Sequence, residues 1–163
     1  MAVQIFATVT GAKQGVFKGE STQRLFENKI PGVVLNFGVI SPRDPATGQV
    51  TGKRQHQPIV FTKEWGVSSP QFLEAAYTNE TLTTVLFEVY TTSPTGIQRV
   101  DHTVKLTNAS ISSVLDSLSL GQSGGPVIDS RDLQQISFVF QKIEVTSVIG
   151  GTTAMDDWSS PVV

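Results

Sequence analysis

Two groups of residues in this chain have the types and spacing for chemistry. The first is His56, Asp101 and Ser123, which stand in the His–Asp–Ser order of a hydrolytic triad. Ser123 would be the nucleophile, His56 its base, and Asp101 the group that orients the imidazole. The second is the cationic cluster Lys53, Arg54 and His56 in Thr51-Gly52-Lys53-Arg54-Gln55-His56-Gln57-Pro58. Such a cluster could meet a phosphate, a nucleic-acid backbone or an acidic protein surface.

The context weakens the triad. Ser123 sits in Gly121-Gln122-Ser123-Gly124-Gly125-Pro126, one residue from the GDSGGP around the nucleophile of chymotrypsin-like proteases. The aspartate of that motif is replaced by Gln122, and His56 follows Lys-Arg-Gln rather than an alanine-rich run. Asp101 and Ser123 are only 22 positions apart, too few for a second barrel between them. A flexible Ser-Gly-Gly-Pro turn between strands accounts for the motif with less. His56 and His102 also lack partners at metal-ligand spacing, so no metal or cofactor site is expected.

The cationic cluster stands in an acidic chain. Twelve Lys and Arg against fourteen Asp and Glu give a formal charge of −2. No basic stripe or aromatic interleaving continues the cluster, which argues against nucleic acid as a partner. A partner-facing protein surface fits better. The rest of the composition narrows the class. There is no cysteine, which excludes disulfides and thiol catalysis. No apolar run approaches the roughly 20 residues of a membrane helix, so no membrane insertion is expected. The first residues, MAVQIFATVTGAKQG, lack the basic and apolar regions of a signal peptide. The chain is expected to fold in a cytoplasm, and any export would use a route that reads no such signal. At 163 residues a single domain over 1–163 is the default.

The elements that would position these residues are mostly strands. Val3, Ile5, Ala7 and Val9 alternate with Gln4, Phe6 and Thr8. Val33 to Ile40 is a longer apolar run, expected as a strand covered on both faces. Ser41 to Gln49 carries two prolines and a glycine and reads as a projecting loop. Ile59 to Phe61 is a short strand. Leu82 to Tyr90 and Val100 to Leu106 alternate on either side of Thr92-Ser93-Pro94-Thr95-Gly96, predicting an antiparallel hairpin. Ala109 to Leu118 reads as a further strand. Leu133 to Val148 reads as a last long one, with a bulge between Phe140 and Ile143 where its apolar phase slips. One helix is predicted, with Ser69 as N-cap, Pro70 in the first turn, Gln71 to Thr78 as its body and Asn79 as its end. Its apolar pairs are Phe72 with Ala76 and Leu73 with Tyr77. Asn79-Glu80-Thr81 and Asn108-Ala109-Ser110 match the glycosylation pattern, read here as chance without a secretory signal. Trp158 is expected to anchor the C-terminal tail. The fold class is therefore mainly β: an antiparallel two-sheet β-barrel with one flanking α-helix.

Several segments together resemble one family. Thr51 to Pro58, Phe61-Thr62-Lys63-Glu64, Ser69-Pro70 and Lys105 to Ser113 resemble its signature runs, as do Leu133 to Phe138, Phe140 to Val145 and Trp158. The family is Hcp, the haemolysin-coregulated protein of the bacterial type VI secretion system. The weakest match is Gly11 to Asn28. The resemblance implies a non-enzymatic tube subunit. Six copies would close into a ring, rings would stack, and a contractile sheath and a spike would complete the device. It implies effector proteins in the lumen and release of the protein from the cell. It also implies that Arg43, Asp44, Lys53, Arg54, Gln55 and His56 take part in subunit or ring contacts. Polar strand positions such as Thr84 and Glu88 would suit a wall that meets a water-filled lumen. Two other classes stay open: a tail-tube protein of a contractile phage or extracellular injection system, and a small serine hydrolase using Ser123.

Overall fold

A computed structural model describes residues 3–24, 26–119 and 131–157. Its strands are β1 (Val3–Gly11), β2 (Gly15–Val16), β3 (Ile30–Gly32), β4 (Val34–Asn36), β5 (Val39–Ile40), β6 (Gln55–His56) and β7 (Ile59–Glu64). After the helix α1 (Ser69–Tyr77) come β8 (Leu82–Thr92), β9 (Gln98–Ser119), β10 (Arg131–Val139), β11 (Lys142–Ser147) and β12 (Thr152–Asp157). All named pairings are antiparallel. The main strand order is β2-β1-β8-β9-β10-β7-β4; off this path β11 pairs with the first half of β9, along the edge that β10 follows farther on, and β12 pairs with β11. The ladder is not continuous around the molecule. Instead β3 pairs with β1 and β4 with β7, and Val33 between them donates its N–H to Thr62 O at 2.7 Å. This broken strand spans two sheets that share β9: one adds β1, β2, β3, β8, β11 and β12, the other β4, β7 and β10.

The core lies between the sheets. The predicted alternation puts Val85, Phe87 and Val89 of β8 inward, against Val104 and Leu106 of β9. Phe61, Phe87 and Phe138 form a chain of rings with centroids 5.2 and 5.8 Å apart, and Phe72 of α1 meets Phe138 at 6.2 Å. The opposite face of β1 is covered as well. Phe6 stacks on Phe26 at 4.4 Å, and Tyr90 closes over both. Beside them Lys29 pairs with Glu88 at 2.8 Å and with Tyr90 at 2.9 Å. Glu88 is thus held by a lysine of its own chain.

The long strands differ from expectation in instructive ways. Ala109 to Leu118 is no separate strand but the second half of β9, which leaves β8 and β11 and continues alongside β10. Leu133 to Val148 is two strands. The apolar phase does slip between Phe140 and Ile143, by a break between β10 and β11 rather than a bulge within one strand. The cause lies across the ladder. Asn108 takes a left-handed φ of 50°, and the N–H of Gln141 is shared between the carbonyls of Thr107 and Asn108. Asn28 and Asn79 adopt φ of 64° and 53°. Asn tolerates this region better than other side chains. Asn79 and Asn108 therefore owe their places to the backbone.

The helix is as predicted except at its ends. Ser68, not Ser69, is the N-cap, and Ser68 makes no side-chain cap to the helix. Glu20 does that work from 48 residues away, accepting the Ser68 N–H at 2.8 Å and the hydroxyl at 2.5 Å. A carboxylate there also suits the positive end of the helix. Ser69 Oγ instead accepts from Gly66 N–H at 3.0 Å and from Lys63 Nζ at 2.8 Å. Lys63 is fully buried, its ammonium also donating to Glu64 O at 2.8 Å and lying 3.1 Å from Glu20. Burial pushes its pKa below the ordinary lysine value, against the opposing pull of Glu20. At the other end Thr78 is the cap, and left-handed Asn79 lets the Glu80 N–H return to Ala75 O at 2.9 Å. The buried face is Phe72 with Ala75, and Tyr77 is exposed.

Candidate assembly surface

Residues 37–57 leave the sheets as an arm. Val39 pairs with His56 and Ile40 with Gln55 in a ladder of their own, separate from the main strand order. Farther out Thr51 N–H reaches Pro42 O at 3.0 Å, Arg43 bridges Val50, and Asp44 N–H reaches Gln49 O at 2.8 Å. Asp44 shapes the tip. Its Oδ1 accepts the Ala46 N–H at 2.8 Å, and its carbonyl accepts from Gly48 at 2.7 Å. Gly48 supplies the positive φ of 73° that the turn needs. Arg43 Nη1 closes over it onto Gly48 O at 3.2 Å.

This arm overturns one expectation. Val33 to Ile40 is not a strand covered on both faces. Val33, Val34, Phe37, Val39 and Ile40 are all between 40% and 58% exposed, and Val50 is 60% exposed. An apolar run has the same composition whether its own core or another surface covers it, so the sequence does not distinguish the two.

The six residues expected at contacts divide by the pleat. Side chains alternate between the two faces of an extended segment. Lys53 and Gln55 are exposed, whereas Arg54 and His56 are half-buried and turn to the body of the protein. Both reach Asp156 on β12. The Arg54 guanidinium binds the carboxylate with Nε and Nη2, and Nη2 also donates to Asp157 O at 3.2 Å. His56 Nε2 lies 2.5 Å from Asp156 Oδ2, and its ring meets Phe140 edge-on at 5.3 Å. The Arg54 hydrogen bonds, with a smaller contribution from His56, hold the Asp156 carboxyl at about 2 against the opposing cost of its burial. Arg43 and Asp44 stay at the tip, distant in the chain from this junction.

Between arm and body runs an open groove of about 540 Å³. Phe37 and Val39 line it from the arm, and Ile143, Val145, Ala154 and Met155 from β11 and β12. Arg54, His56 and Asp156 complete its lining. Asp156 was not among the residues selected from sequence. It lies a hundred positions from His56, and no local pattern ties the two together.

The triad reading loses its middle link. Asp101 Oδ2 lies 2.8 Å from His102 Nδ1, while His56 is engaged by Asp156. Ser123 and its motif, like Trp158, lie outside the described residues. Among the described residues no group of three or more His, Asp or Glu is placed to hold a metal ion, and no helix is long and apolar enough to cross a membrane.

Comparison with known proteins bears on this surface. Residues 6–146 match the family described as Type VI secretion system effector, Hcp. The Major exported protein of Pseudomonas aeruginosa is 35% identical over 171 aligned positions, covering 99% of this chain and 99% of that protein. Among solved structures, that of an Hcp protein superposes with a TM-score of 0.87 at 26% identity, covering 98% of this chain and all of that one. The secreted protein Hcp3 of Pseudomonas aeruginosa gives 0.78 at 28% identity, covering 98% and 100%.

Proposed function

Because the chain belongs to the Hcp family of type VI secretion proteins, we propose that it is a structural subunit of the secretion tube, which closes into six-membered rings that stack. The observation that carries this reading is the uncovered arm. It leaves Phe37, Val39, Ile40 and Val50 between 44% and 60% exposed. Large apolar side chains left exposed together on one segment mark a candidate site of association. An antiparallel protein also has edges to protect, and head-to-tail contacts of identical copies protect them in a closed ring.

In this reading the arm tip, Arg43 to Gln49, meets the neighbouring ring, with Lys53 and Gln55 on its outward face. Sheath and spike proteins would engage the assembled tube, and effector proteins would ride in its lumen. Release from the cell follows from the same role, and the name of the Pseudomonas relative, Major exported protein, supports it. The mechanism is mechanical and needs no catalytic residue.

The test is the mass of the native assembly. Native mass spectrometry should give six times the 17.6 kDa chain. A monomer at micromolar concentration would overturn the ring. Replacing residues 43–49 with a short Gly-Ser linker should leave the six-fold mass intact and abolish longer assemblies. Stacking as efficient as in the unmodified protein would remove the tip from the proposed contact.

A further inference from the structure

We propose that Asp156 is the positioning residue of the arm: its carboxylate latches β6 to β12 and so sets the direction in which Arg43 to Val50 project. The inference rests on the tube reading for its purpose, but its geometry stands by itself. Strands of two residues form a ladder too small to be stable alone. The arm therefore needs an attachment to the body. On one side that attachment could be apolar, but Phe37, Val39 and Met155 remain 44%, 58% and 62% exposed beside the open groove. Apolar packing across an open groove does not fix an angle.

The polar contact does. Arg54 directly precedes β6 and His56 ends it; two positions apart, both turn to the same side and reach Asp156. One carboxylate takes both, Oδ1 and Oδ2 accepting from the guanidinium fork and Oδ2 also meeting His56. A bidentate fork is planar and directional, unlike a point charge. The second Arg54 contact, to the Asp157 carbonyl, ties the same fork to the β12 backbone. Edge contact of His56 with Phe140 adds a third point, at the junction between β10 and β11. Two side chains held at three separate partners, the Asp156 carboxylate, the Asp157 carbonyl and the Phe140 ring, restrict the orientation of the arm. The charge of Arg54 is thus engaged within the chain, which leaves Lys53 and the tip to meet a neighbour.

The experiment compares the unmodified protein with Asp156→Ala, Asp156→Glu and Arg54→Gln. Each is taken from the same size-exclusion species and digested with limiting trypsin, which cuts after Arg43, Lys53 and Arg54; the cut after Arg43, present in all four proteins, is the one compared. Asp156→Ala should be cut in the arm at least tenfold faster. Negative-stain images of it should show rings without stacks. Asp156→Glu keeps the carboxylate and should restore much of both properties. Should Asp156→Ala fail to fold, Arg54→Gln releases the latch from the other side and should give the same split. Cleavage as slow as in the unmodified protein, in both Asp156→Ala and Arg54→Gln, would overturn the latch. So would rings and stacks lost in equal measure. If the unmodified protein forms no rings, the tube reading fails, and the cleavage rates alone decide the latch.

Discussion

Asp156 takes the side chains of Arg54 and His56 on one carboxylate, and its acidity follows from that. Its folded pKa of about 2 lies below the ordinary 3.8. A depressed carboxyl contributes stability that is present above the ordinary value and is lost as pH falls through the folded one. Urea midpoints should therefore fall between about pH 4 and pH 2 more steeply in the unmodified protein than in Asp156→Asn. Parallel curves would deny the carboxylate that role. Lys63 makes the contrasting case. Its ammonium is wholly buried against Glu20 and donates to Ser69 and Glu64. Removing one partner of a buried pair strands the other charge, so Lys63→Met should cost about 3 kcal/mol. Lys63→Met with Glu20→Gln should recover most of it, and a double variant no better than the single one would contradict the pairing. At Ser123, a fluorophosphonate probe should give no label that Ser123→Ala abolishes.

The elements show how far a sequence carries and where it stops. The β8–β9 hairpin was legible because one face of each strand packs on the core, and Val85, Phe87, Val104 and Leu106 keep strict alternation. The helix was legible too, but its cap was misplaced by one residue. Ser68 and Ser69 are chemically equal candidates, and the choice is made by Glu20, Lys63 and Gly66, which no local rule weighs. The continuity of β9 was hidden because Asn108 enters a left-handed conformation inside a strand. The arm was legible as a projecting loop from its prolines and glycine, but its anchor was not, since Arg54 and Asp156 meet only through the fold. Two substitutions check this scale. A Cβ at Gly32 would lie 2.2 Å from the Phe61 ring, where β3 crosses β7. Gly32→Ala should therefore destabilise by about 2 kcal/mol, as overpacking does. Asn79→Gly should be neutral or slightly stabilising, whereas Asn79→Val should cost about 1–2 kcal/mol through its left-handed φ. Equal thermal midpoints for the two would refute the cap.

At the scale of the whole molecule, the chain resolves into a packed body and an attached arm. The body holds the phenylalanine core between the sheets and buries Lys63 with a partner. The arm exposes apolar side chains that the body leaves uncovered. A protein of this design is complete as a fold and unfinished as a surface, and assembly would cover what folding leaves bare. Charge at the arm then tunes association rather than stability. Lys53→Glu should weaken assembly more at 50 mM salt than at 500 mM, because exposed charges are screened. Equal loss at both would point to a shape defect instead. The most direct test of the central claim is negative-stain imaging of the purified protein. The tube reading predicts closed rings with six-fold symmetry and an open centre, stacking face to face as concentration rises. Dispersed monomers, or closed rings of another order, would contradict it.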